Sequence, residues 1–146
     1  MLTIHGRELV LWLHVLAACV WIGGQFTVAA LIPLLRGQQG LAAMAGRRYQ
    51  LVAWPAFAVL LATGVLNAAD AHITWHDLGS TAVGRTLVTK LGFVALSGAA
   101  AAVHAFLQAP RSRGGAAPSA ATSAALGSVS LLAAVVAALY GVVIAG

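Results

Sequence analysis

The chain has 146 residues: eight are Lys or Arg, three are Asp or Glu and five are His, for a formal charge of +5 with neutral His. Apolar types make up 61% and charged types 8%, against roughly 25% charged in an ordinary soluble domain, which excludes a soluble globular domain and a disordered chain alike. One Cys excludes an intrachain disulfide scaffold and a thiolate-only metal site, and eight scattered basic residues make no nucleic-acid-binding stripe.

The charges divide the chain into apolar windows. There are 27 residues between Glu8 and Arg36 without a formal charge, 21 between Arg48 and Asp70, 20 between Lys90 and Arg111, and 33 after Arg113. A membrane-crossing helix needs roughly 20 mainly apolar residues. Spans are therefore predicted over 9–33, 49–69, 85–108 and 121–144. None shows the polar face of a soluble amphipathic helix. The expected architecture is an all-α integral membrane four-helix bundle, a single domain over 1–146.

The first span is long and opens with His5, Arg7 and Glu8, which is unlike a signal peptide. It carries His14, Cys19 and Trp21. The second contains Trp54, expected near the inner boundary, and Pro55, expected to kink it or to sit in its first turns. It ends on Asn67 and Asp70, and a loop follows with His72, Trp75, His76 and Asp77. The third span carries Arg85, Lys90 and His104. The stretch from Ala109 to Ser123, rich in Pro, Gly, Ala and Ser, is expected to be a flexible connection. Gly92, Gly98, Ala99 to Ala102, Gly127 and Gly141 are the small residues that let membrane helices approach closely.

The first and third loops hold Arg36, Arg47, Arg48, Arg111 and Arg113 and no acid. The other side holds Arg7 and Arg85 against Glu8, Asp70 and Asp77. The positive-inside rule places the first and third loops in the cytoplasm and both termini outside.

Ionisable groups at membrane depth are costly and therefore informative. His14 lies roughly 8 Å below the outer boundary at 1.5 Å per residue, and Lys90 is predicted at a similar depth. His104 lies roughly 21 Å deeper than Lys90, too far for it to share one ion with His14. His14 and Lys90 are expected to share an outer-leaflet site, joined by the second loop. His72 and His76, four apart, would share a face if their segment were helical. The bland alternatives are an interhelical hydrogen bond for His14, snorkelling for Lys90 and plain solvation for His72 and His76. Trp21 needs a packing or ligand role.

Two cofactor readings stand side by side. Copper would use His14, His72 and His76 with Asp70 or Asp77 as oxygen ligand, because imidazole suits Cu(II). Cys19, Met44 and Met1 offer little to Cu(I). Haem b would use His14 as one axial ligand, a loop His as the other, an apolar wall including Trp21, and Lys90 or Arg85 on a propionate.

Two stretches carry a resemblance: His14-Val-Leu-Ala-Ala-Cys-Val-Trp21-Ile-Gly-Gly24 and Gly84-Arg-Thr-Leu-Val-Thr-Lys90-Leu-Gly, together with Thr63-Gly64-Val-Leu. With these the chain resembles the membrane domain of the copper-resistance protein D family over its first three spans, the fourth being only generically similar. More distantly it is similar to HemJ-type protoporphyrinogen oxidases, small four-helix haem-binding membrane proteins. The first resemblance implies copper handling at a bacterial inner membrane, with His14 and Lys90 at family positions. The expectation is thus a copper-handling membrane protein. The alternatives are a haem-binding redox protein or oxidase and a structural subunit of a larger membrane complex. Expected partners are lipid and either further copies of the chain or a larger complex, not nucleic acid.

Overall fold

The structure is a computed structural model that describes residues 5–35, 37–38, 40–108 and 119–145. Every regular element among them is helical: α1 (Gly6–Leu35), α2 (Leu41–Asp70), α3 (Asp77–Ser80), α4 (Ala82–Gln108) and α5 (Ala120–Ala145). α1, α2, α4 and α5 are each long and apolar enough to cross a membrane. Backbone polar groups in lipid must be satisfied within the segment, and uninterrupted helices do that.

The helices overrun the predicted spans, most of all at the start of α2. It begins at Leu41 rather than near 49, so Arg47 and Arg48 lie on its first turns. Charge marks where lipid ends, but a helix continues past that point as long as its backbone is paired. Pro55 consequently sits in the middle of α2 rather than in its first turns. Gly40 precedes the helix at φ 88°, a left-handed conformation that costs glycine nothing. The predicted flexible stretch ends earlier than Ser123. Ser119 accepts the Thr122 amide through its hydroxyl at 3.0 Å, an N-cap that starts α5. Arg36, Arg111 and Arg113, three of the five residues behind the orientation argument, lie outside the described residues.

The chain forms two compact units, Met1–Arg85 and Thr86–Gly146. In the first, α1 packs along α2. In the second, α4 and α5 run antiparallel, with pairs from Phe93–Tyr140 through Ser97–Ser130 to Gln108–Ser123.

Among the described residues the buried apolar side chains are six alanines and one tryptophan: Ala17, Trp21, Ala53, Ala100, Ala133, Ala134 and Ala137. Leu, Val and Phe side chains such as Leu51, Val65, Phe106, Leu132 and Val142 point outward. A soluble core reverses this distribution. In lipid, apolar burial brings helices no gain over acyl chains, so small residues that permit close backbone contact take the interface. Ser97 and Ser130, both almost fully buried, add polar glue. The Ser130 hydroxyl donates to the Ser97 carbonyl at 3.0 Å.

Candidate functional site

α1 presents His14, Ala17, Trp21 and Gly24 at steps of three, four and three, which puts them on one face. That face meets α2. The His14 ring packs where Thr63 and Gly64 pass: Nδ1 lies 2.9 Å from the Thr63 Oγ1, and a Cβ on Gly64 would touch Cε1 at 3.4 Å. The Thr63 hydroxyl donates to the Val59 carbonyl at 2.6 Å. A hydroxyl has one proton and two lone pairs. With its proton on Val59, Thr63 accepts from His14 Nδ1–H. Thr63 is buried, and an unpartnered hydroxyl there would be costly.

About two turns further along α1, Trp21 is 3% exposed. Its ring centroid lies 4.4 Å from Phe57 and 5.7 Å from Trp54, the latter edge-on. Trp54 thus packs into an aromatic cluster with Trp21 and Phe57. The Tyr49 hydroxyl donates to the Trp21 carbonyl at 2.8 Å, and Gln25 Nε2 donates to the same carbonyl at 3.1 Å. Gly24 makes room for this, since any Cβ there would run into the Tyr49 ring. Trp21 thus has a packing role on the α2 face. Tyr49 and Thr63 are residues to which the sequence assigned no task; an intramembrane Thr opposite a His is the signal that points to the second.

The loop after α2 is held by backbone geometry. His72 and Ile73 donate to the Ala69 and Ala68 carbonyls at 2.9 and 3.3 Å, a Schellman ending. His72 takes the left-handed position at φ 53°. Residues 72–76 are turn rather than helix, so the helical same-face geometry for His72 and His76 does not arise. Asp70, His72 and His76 are exposed. The Asp77 carboxylate accepts from the Thr74 hydroxyl and from the Thr74 amide, the latter at 2.8 Å. Those two bonds, with a smaller pull from His76, hold its pKa below the ordinary carboxylate value.

The Gly84-Arg85 pair closes this loop. A Cβ on Gly84 would collide with the Asp77 carbonyl and the Leu78 backbone, so α3 crosses α4 where there is no side chain. Arg85 donates to the Ser80 carbonyl at 3.2 Å, at the end of α3. A longer contact, at 3.5 Å, reaches the Gly79 carbonyl.

Lys90 belongs to the second unit and His14 to the first, so each is positioned by its own helix pair. Lys90 lies across α5 at Gly141, where a Cβ would come within 3.2 Å of Nζ. His104 stands four residues before the end of α4. Among the described residues no group of three His, Cys, Asp or Glu side chains is placed to hold one metal ion. His14, His72, His76 and Asp70 are therefore not preassembled as one cage.

A family model described as Copper resistance protein D matches residues 43–145. The chain belongs to the copper resistance protein D family. It is an integral membrane protein of a copper-resistance family, which associates it with copper in general terms. The match includes α5, the span that had looked only generically similar, and it leaves out α1 with the His14-to-Gly24 stretch. No curated protein and no solved structure matches the chain.

Proposed function

We propose that this chain handles copper at the bacterial inner membrane, with both termini on the outer side, and that the ion is cargo rather than a resident cofactor. Membership of the copper resistance protein D family over residues 43–145 is the observation that carries the reading. Imidazole suits Cu(II), and the ligands proposed for it are His14 within the α1–α2 pair and His72 and His76 on the outer loop, with Asp70 as an oxygen donor. The three imidazoles take the ion individually or after the loop moves, since they do not start as one cage. Arg85 and Lys90 are proposed to supply positive charge, each within its own helix pair. Trp21 holds the α1 face that carries His14. Lipid and further copies of the chain, or a larger membrane complex, are the proposed partners.

The test is metal analysis after Cu(II) loading, with oxidised and reduced visible spectra on the same sample. Stoichiometric copper without a Soret band is expected. The His14→Ala variant and the paired His72→Ala, His76→Ala variant should each weaken retention by roughly tenfold or more, because even changes behind a ligand cost about 10–100-fold in metal affinity. A Soret band with sharp reduced bands would replace copper with haem. Unchanged retention in both variants would remove the His assignment.

A further inference from the structure

We propose that the α4–α5 pair binds one anionic phospholipid, with the phosphate on Lys90 and an acyl chain in the groove that runs along the pair beyond it. The inference does not rest on the copper reading. Lys90 stands eight residues after the start of α4, and its side chain crosses to Gly141, four residues before the end of α5. The missing side chain at Gly141 forms the notch, since a Cβ there would come within 3.2 Å of Nζ. The ammonium therefore lies at the level of the last turn of α5, roughly 6 Å from its end at 1.5 Å per residue. No Asp or Glu follows Asp77 in the chain, so α4 and α5 offer Lys90 no acidic side chain. A half-buried ammonium within a membrane-length helix is costly without a counter-charge. A lipid phosphate supplies one from the surroundings.

The pair also holds a seat for the chain of such a lipid. Three residues beyond Lys90, Phe93 stacks on Tyr140 with ring centroids 5.9 Å apart. From there a groove of about 210 Å³ is lined by Phe93 and Leu96 of α4 and by Val129, Leu132, Ala133 and Val136 of α5. Leu96, Val129 and Leu132 are exposed, so the groove opens sideways from the pair. Both helices are of membrane length, and an apolar surface exposed along them meets acyl chains rather than water. The groove is smaller than the roughly 300–1,000 Å³ of ordinary small-molecule pockets, which suits one extended chain better than a bulky ring system. Along α4 the order is Lys90, Phe93, Leu96, at steps of three. A cation followed by an apolar track matches the order of headgroup and chain in a phospholipid.

The test is native mass spectrometry of the intact chain, released from detergent after incubation with equal amounts of phosphatidylglycerol and phosphatidylcholine carrying identical acyl chains. A retained phosphatidylglycerol is expected, favoured about fivefold over phosphatidylcholine, the worth of one basic residue at a lipid surface. Lys90→Gln should abolish the preference and Lys90→Arg should keep it. Val136→Phe fills the groove without touching the charge and should lower retention of both lipids. Equal retention of the two lipids by the unaltered chain, or an unchanged preference in Lys90→Gln, overturns the proposal. Full retention in Val136→Phe overturns the groove as the seat of the acyl chain. Displacement of the lipid by millimolar inorganic phosphate would make free phosphate the ligand and overturn the lipid assignment. A second copy of the chain retained in place of lipid, and lost in Val136→Phe, would overturn it as well.

Discussion

His72 holds a backbone angle that residues with a Cβ seldom adopt. Its φ of 53° costs a non-glycine residue about 1–2 kcal/mol, and glycine is the usual occupant of this Schellman position. His72→Gly should therefore raise stability by about 1 kcal/mol, read as a higher midpoint in detergent thermal unfolding. If the imidazole serves copper, the same variant loses copper while gaining stability. A lower midpoint would instead assign the ring a packing role. Asp77 makes a second residue-scale prediction. Its pKa is lowered by the Thr74 hydroxyl and amide. A carboxyl with a depressed folded pKa contributes order that is complete above its unfolded value, about 3.9, and is lost as pH falls through the folded value. The Thr74 amide resonance should shift on acidification below that range, and Asp77→Asn should abolish the shift.

Elements meet here where side chains are missing, and the nature of the neighbour decides what a substitution costs. Gly84 faces the Asp77 and Leu78 backbone of α3, which cannot move without rebuilding the loop. Gly84→Ala should cost about 1–3 kcal/mol, the usual range for overpacking. Gly141 faces only the Lys90 Nζ and Cε at 3.2 and 3.6 Å, the free end of a flexible chain. Gly141→Ala should stay within about 0.5 kcal/mol of the parent. Thermal unfolding of the two variants side by side checks the contrast, and equal losses would contradict it. Gly84 and Arg85 thus acquire a definite task, closing α3 onto the start of α4. The spacing in the sequence marked the pair through a family resemblance but could not say what the glycine avoided.

For the whole molecule, orientation is the property that governs function, because it decides which side the loop with His72 and His76 meets. The basic residues Arg47 and Arg48 lie on the first turns of α2, at the opposite end of that helix from Asp70. The orientation proposed above, from the positive-inside rule, puts that end in the cytoplasm. A reporter fused after Gly146 should read as external, and its signal should match that of one fused before Met1. A cytoplasmic readout would invert the molecule and turn the His loop inward. The outward-facing Leu, Val and Phe side chains and the alanine-lined interior suit lipid on all sides of the helix surfaces they cover.

Class and the number of membrane-length helices were legible in the sequence because they depend on local composition. A run of about 20 apolar residues in lipid has to be helical, whatever it packs against. His14 stood out for a similarly local reason, as an ionisable group inside such a run. Its partner did not. When every face of a helix is apolar, hydropathy carries no register, so nothing in composition aligns residue 14 with residue 63 or Trp21 with Phe57. Tertiary structure alone decided those pairings. It also set Trp54 against Trp21 and Phe57, made the His72–His76 segment non-helical, and left His14, His72, His76 and Asp70 as separate donors among the described residues. Helix formation is a property of each segment, whereas the His14–Thr63 hydrogen bond joins positions 49 apart that only the antiparallel packing of α1 on α2 brings within reach.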